Sequence, residues 1–297
     1  MTASRPRDPL KRKDFQPLRE PRFEVIPLPG IEDEIDRYLP ADSTVTVTAS
    51  PRRGLAPTVE LATRLATRGI HTVPHLAARY ISDQAELRGI VHDLDAAGVR
   101  EVFVVGGDLR EPVGEFRSAL QLLRAMQSIG HELTVGIAGY PETHPLISDD
   151  AIVRALRDKQ DYASYIVSQM SFDARVVREW VDQLRHRGIN LPVRIGIAGP
   201  VGTARLLRVG ARVGVGDSLR VLRKHRGMIQ HVSGSWTPGR LLDDLAPAFA
   251  DPSYGLVGLH IYTFNALAQT AQWWYEEGGR RPGHVVEGGP ADLTSEE

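Results

Sequence analysis

Two carboxylates stand where the chain otherwise reads as buried strand. Glu24 interrupts the apolar run FEVIP, and Asp108 follows two glycines at the end of EVFVVGG. A carboxylate in or just beyond a buried strand is costly unless it is paired, and acid–base or electrostatic work is a common reason to keep one there. Other polar residues recur at equivalent places: Thr46 and Thr48, His75 after Pro74, Tyr140 and Glu142 around Pro141, Gln169, and the pair His260 and Tyr262. Singly, each reads as readily as a structural hydrogen-bonder or a loop cap. Converging on one mouth, they would make a polar pocket for a flat, hydrogen-bonding ligand.

Much other chemistry is excluded. The 297 residues contain no cysteine, which removes disulfides, thiolate metal sites and a cysteine nucleophile. No spacing suggests a metal cluster or a nucleophile triad, so the expected metal is none. There is no G-x-G-x-x-G fingerprint after a first strand and no Walker loop; the glycines of RVGVGDSLR (212–220) follow a helical run and read as a helix–helix turn. A net charge of -1 with 25% charged and 42% hydrophobic residues gives no bulk attraction for nucleic acid or an anionic membrane. No apolar run approaches the roughly 18 residues of a membrane span, and the charged start lacks a signal-peptide core. The expectation is a cytoplasmic protein without nucleic-acid or membrane partners; the sequence leaves its oligomeric state open.

The elements that must position these residues follow from periodicity. Eight short β-branched or apolar runs begin near residues 23, 44, 71, 101, 133, 164, 192 and 256. Between them lie segments of helical period such as TVELATRLATRG, SDQAELRGIVHDLDAAG, GEFRSALQLLRAMQSIG and DARVVREWVDQLRHRG, each opening near a capping residue and closing on glycine. Alternation of this kind predicts parallel βα units. Eight of them predict an α/β fold, a single-domain (β/α)8 TIM barrel over 21–277, with an elaborated crossover at about 200–250 before the last strand and flexible tails at 1–20 and 278–297. In such a barrel the ligand site lies at the C-terminal ends of the strands, which is where the polar set falls.

The ordered motifs resemble the methylenetetrahydrofolate reductase family: FEVIPLP (23–29), VTVTASP (45–51), VPHLAA (73–78), VVGGDLREP (104–112), IAGYPETHP (137–145), IVSQMSFD (166–173), GIAGPV (196–201) and LHIYTFN (259–265). Order and spacing hold from about residue 22 to 276. The resemblance implies NAD(P)H-dependent reduction of 5,10-methylenetetrahydrofolate to 5-methyltetrahydrofolate, with folate and a nicotinamide dinucleotide as partners. It assigns Glu24 as the general acid that opens the folate ring to a 5-iminium cation. Asp108 becomes the partner of the pterin edge and of that cation, and Gln169 a hydrogen-bonder to folate or nicotinamide. Thr48, His75, Tyr140, Glu142 and Lys159 match cofactor-side positions, while Tyr262 and Asn265 are expected to close the barrel and cap its last helix.

The chain departs from the family where FAD is normally held. Gly106 stands in place of an arginine, and RDKQDYAS (157–164) keeps Lys159 and Asp161 but loses a small-residue turn. TARLLRVGARVG (203–214) offers no aromatic to stack on a dinucleotide. These changes favour direct hydride transfer from NADH over a flavin relay; NADPH is the alternative donor, a conventional FAD-dependent reductase the alternative route. A non-catalytic folate-binding barrel and another barrel flavoenzyme, such as a proline dehydrogenase relative, are the remaining readings.

Overall fold

The computed structural model describes residues 15–49, 53–142, 147–202, 206 and 235–282. Eight parallel strands close a barrel: β1 (Arg22–Val25), β2 (Thr44–Val47), β3 (His71–Ala77), β4 (Glu101–Val105), β5 (Thr134–Gly139), β6 (Tyr165–Ser168), β7 (Val193–Ala198) and, last in the chain, β10 (Leu256–Tyr262), which pairs with both β7 and β1. A separate antiparallel pair, β8 (Val201–Gly202) with β9 (Ser235–Trp236), brackets the expected elaboration. The described helices are α1 (Ile31–Tyr38), α2 (Ala56–Thr67), α3 (Gln84–Ala96), α4 (Ala119–Ile129), α5 (Asp149–Lys159), α6 (Ala174–His186), α7 (Gly239–Ala250) and α8 (Leu267–Glu276). The helix–helix turn expected at 212–220 lies outside the described residues.

The period-2 pattern of the strands sends one face to the helices and one into the barrel. On β1 the outward residues Phe23 and Val25 are fully buried, and Phe23 meets Trp274 of α8 edge-on at 5.1 Å. Burying side chains of that size is worth about 1.5–3 kcal/mol each. The helices obey the complementary period: α6 buries Val177, Trp180, Val181 and Leu184, spaced three, four and seven apart. Its Asp173 cap accepts from the Arg175 amide at 2.8 Å, and Gly188 at φ 75 ends it. Replacing that cap by alanine would cost about 1 kcal/mol. Asp83 and Ser118 cap α3 and α4 in the same way; α4 starts after the Ser118 cap rather than near Gly114, and a Cβ at Gly114 would lie 1.8 Å from the Ser82 carbonyl, so only glycine fits there.

The lead-in expected to be loose through residue 20 is packed from residue 15 onward. Leu18 is 2% exposed and its carbonyl accepts from Trp274 Nε1 at 2.6 Å, while Phe15 stacks edge-on with Phe249 at 5.3 Å. At the other end, the Gly279 amide bonds the Trp274 carbonyl at 2.8 Å, and Arg280 pairs with Asp42.

The barrel interior is charged at its N-terminal end. Arg22 Nη1 and Nη2 donate to the two carboxylate oxygens of Glu101 at 2.7 and 3.0 Å, and Nη1 also reaches the Tyr165 hydroxyl at 2.7 Å. Gly136 makes this possible, since a Cβ there would come within 2.3 Å of the Tyr165 ring. Above this ionic floor sits an apolar layer of Val73, Phe103, Tyr165 and Val167, and above that the candidate site.

Candidate active site

Glu24 points inward from β1 with 16% of its side chain exposed. Its Oε2 lies 3.0 Å from His260 Nε2, a hydrogen bond across the β1–β10 seam, and 3.8 Å from His75 Nε2 on β3. Both imidazoles are buried, His75 at 4% and His260 at 1% exposure, and Phe103 packs against His75 at 4.7 Å. Burial pushes the Glu24 carboxyl up, against the counteracting field of His75. Burial likewise pushes His75 down to about 4, with Glu24 opposing and His260 assisting. His260 falls to about 3, through burial and the positive charges of Arg22 and Arg194 beneath it. Near neutral pH the cluster therefore holds two uncharged imidazoles beside a carboxyl that resists ionisation.

The proton arrangement follows from what surrounds His260. Its Nδ1 is buried without a hydrogen-bond partner, and a bare lone pair costs less there than a bare N–H. The Nε2–H tautomer thus donates to Glu24 Oε2. Thr46 Oγ1 and His75 Nε2 are also buried without partners, and Thr46 is the register neighbour of Glu24 on β2. Each unsatisfied group costs about 1–3 kcal/mol, so their concentration around one carboxylate marks a surface built for an incoming polar ligand.

Strand ends fix the rest of the mouth. Tyr262 donates to the Ser168 carbonyl at 3.2 Å and packs on His260 at 4.8 Å; Gly196 is required below it, because a Cβ there would lie 2.8 Å from the tyrosine ring and 2.1 Å from the Ser168 carbonyl. Asn265 accepts from the Ile26 amide at 2.7 Å and donates to the Ile26 carbonyl at 2.9 Å, both with its side chain. Thr263 Oγ1 donates to the Glu24 carbonyl at 2.6 Å. Tyr262 and Asn265 thus close the barrel and lock the backbone carrying Glu24, but neither caps α8 as expected: its N-cap is Ala266, without a side-chain cap bond, because the Asn265 side chain is taken by Ile26. A second apolar cluster, including Met170, Phe172, Ala198, Val201 and Trp236, walls the ends of β6 and β7.

Asp108 lies on the exposed loop after β4. Burial first, and then the charge of Asp108, raises the phenols of Tyr80 and Tyr140. Tyr262, raised mainly by its own burial, in turn feels both Glu24 and Tyr140, so the two carboxylates flank one line of tyrosines. Arg79 holds the loop by donating to the carbonyls of Leu109 at 2.7 Å and Arg117 at 3.0 Å. Gly106 leaves open space where a side chain would be. Gly107 has another cause: at φ 90, with the Tyr80 ring 3.2 Å from where a Cβ would lie, only glycine fits the turn.

Gln169 is half-buried after β6, its Oε1 accepting from the Met170 amide at 2.9 Å. Thr48, Tyr140 and Glu142 are half-buried at the ends of β2 and β5; Thr143, His144 and Pro145 of the YPETHP motif lie outside the described residues. Lys159 is not brought to the mouth. It ends α5, the helix that descends to the start of β6, and burial pushes its ammonium down to about 8. The sequence singles out His260 without assigning it a role; barrel closure, which makes β10 the neighbour of β1, is the signal that pairs it with Glu24.

Comparison with known proteins gives the family. A family model described as methylenetetrahydrofolate reductase matches residues 31–215, a stretch lying between Glu24 and His260. Methylenetetrahydrofolate reductase 1 of Schizosaccharomyces pombe is 35% identical over 109 residues, 34% of this chain and 18% of that protein. The probable methylenetetrahydrofolate reductase (NADPH) of Caenorhabditis elegans is 28% identical over 149 residues, 48% of this chain and 22% of that one. The 5,10-methylenetetrahydrofolate reductase of Pectobacterium carotovorum is 29% identical over 143 residues, 47% of each chain. The matches thus span less than half the length of these relatives. Among the described residues no helix is long and apolar enough to cross a membrane.

Proposed function

The chain belongs to the methylenetetrahydrofolate reductase family, and on that premise we propose that it reduces 5,10-methylenetetrahydrofolate to 5-methyltetrahydrofolate with hydride taken directly from NADH. The observation that carries this reading is Glu24, a carboxyl whose pKa is raised by burial at the barrel mouth and which is hydrogen-bonded to His260. A general acid whose pKa is raised toward the working pH is what ring opening requires.

In the proposed reaction Glu24 gives its proton to the folate nitrogen that leaves the methylene carbon. That carbon–nitrogen bond breaks, and the 5-iminium cation forms. Hydride from the nicotinamide then adds to the methylene carbon while the C=N electron pair returns to nitrogen. One NADH and one proton are consumed for each methyl group formed. The nicotinamide must lie about 3–3.5 Å from that carbon. Asp108 binds the pterin edge and stabilises the cation, and Gln169 hydrogen-bonds folate or nicotinamide. Thr48, His75, Tyr140 and Glu142 line the dinucleotide side, where His75 Nε2 is buried without a hydrogen-bond partner.

FAD fits these residues less well. Gly106 provides no cation for its phosphates, and Lys159 lies at the far end of α5, so any group it held would have to run along that helix. Both points support transfer without a flavin.

The test follows NADH absorbance after 5,10-methylenetetrahydrofolate is added to protein whose visible spectrum shows no flavin, with NADPH in parallel. Folate-dependent NADH loss without added FAD is the expected result. Loss only after FAD is added would overturn the direct route, and loss under neither condition would overturn the reductase reading in favour of a non-catalytic folate-binding barrel.

A further inference from the structure

We infer that Glu24, His75 and His260 form a binding site for a transition-metal dication of the zinc class, in competition with the acid proton. The expectation from sequence spacing was that no metal cluster exists, yet three strands distant in the chain bring one carboxylate oxygen and two imidazole nitrogens within 4.8 Å of one another. Two edges of this triangle, Glu24 Oε2 to His260 Nε2 at 3.0 Å and to His75 Nε2 at 3.8 Å, bracket the roughly 3.3–3.4 Å that separates ligands of a tetrahedral zinc with bonds near 2.0–2.1 Å. The third edge, between the two imidazoles, lies within 4.8 Å, so both rings must draw together on the ion.

A second observation points to an occupant. His75 is 4% exposed and its Nε2 has no hydrogen-bond partner, so a buried ring nitrogen faces the carboxylate at 3.8 Å with nothing to meet it. Two imidazoles and one carboxylate with an open fourth position are the donor set of catalytic zinc sites. Hard cations such as Mg2+ and Ca2+ prefer oxygen cages and would pass it over. The ligands ride on β1, β3 and β10, and the Glu24 backbone is locked by Thr263, but a metal on His260 Nε2 displaces the proton from that nitrogen to Nδ1, so only the backbone of the triangle is preorganised. Its weak point is His260 Nδ1, which has no outer partner to buttress the ring. Lacking that support, the site should bind roughly 10–100-fold more weakly than a fully buttressed one and exchange its ion readily.

The consequence rests on the proposed function, although the site does not: an ion on Glu24 Oε2 removes the proton donor, so the metal-loaded protein would be inactive as a reductase. The experiment uses the full chain after chelator treatment, with Co2+ as a visible-absorption probe of tetrahedral coordination and calorimetric titration with Zn2+. One ion per chain and a tetrahedral Co2+ band are expected. His75→Ala and His260→Gln should each weaken binding by about tenfold or more, with folding checked by circular dichroism, whereas His92→Ala on the exposed face of α3 should bind as the wild type does. That control matters in a chain with ten histidines. Absence of the band, or equal affinity in both site variants, would overturn the site whatever the turnover. A normal band in a protein that never oxidises NADH would instead overturn the reductase reading and leave the site standing.

Discussion

At the floor of the barrel the Arg22 guanidinium meets both oxygens of Glu101 and the hydroxyl of Tyr165, whereas at the mouth Glu24 has one side-chain hydrogen bond and is ringed by Thr46, His75 and His260, each with a buried polar atom unmet. Both regions bury charged or titratable groups. The floor pairs its polar groups with one another, which makes it a structural plug. The mouth leaves them open, and a fold that tolerates several unsatisfied groups around one acid gives up stability for a ligand. The floor also serves the mouth, since Arg22 and Arg194 help keep His260 uncharged. A cationic His260 would pair with Glu24 and strip it of its proton.

This contrast can be broken experimentally. The largest expected effect on stability is at the floor: Arg22→Met should cost about 3–5 kcal/mol, because it removes the bidentate partner of buried Glu101 and leaves it, among the described residues, only His71 at 3.5 Å as an ion-pair partner, and denaturant unfolding would show it. The double change Arg22→Met with Glu101→Met should recover most of that loss; if it does not, the ion pair is more than mutual compensation. Next in size is a pH effect at the mouth. A carboxyl whose folded pKa is raised contributes stability below its ordinary value near 4.5 and loses it as pH rises through the folded value. Glu24→Gln cannot ionise, so its melting temperature should gain on the wild type progressively as pH is raised above that point. The buried histidines act at the other end. With folded values near 4 and 3 against 6.5 unfolded, they contribute stability above pH 6.5 that is lost as pH falls toward those values, so thermal melts should show acid destabilisation beginning in that window. The smallest effect is Thr46→Val, expected within about 1 kcal/mol of neutral because the hydroxyl has no partner to lose. A larger loss would mean that the mouth is satisfied in a way its geometry does not show.

The strands were legible because period 2 and β-branched residues survive without context, and α3, α4 and α6 because their caps and glycine stops are local. α1 was not picked out: IEDEIDRY is short and polar, with three acids in its first turn, and only Ile31 and Ile35 reach the core. Single members of the site were legible for the same local reason, Glu24 and Asp108 as carboxylates out of place and His75 and Tyr140 as strand-end polar groups. Their relations were not. The bond between Glu24 and His260 spans 236 residues and exists only because the barrel closes β10 onto β1. The partnership of Arg22, Glu101 and Tyr165 depends on three strands pointing inward at one level, which no single stretch of sequence records.

The most direct measurement compares wild type and Glu24→Gln side by side for folate affinity and for NADH consumption with 5,10-methylenetetrahydrofolate. If Glu24 is the proton donor, the variant binds folate as tightly as the wild type while turnover falls by about 100- to 10,000-fold, the usual contribution of a positioned general acid. A variant that turns over at the wild-type rate would contradict the account at its centre.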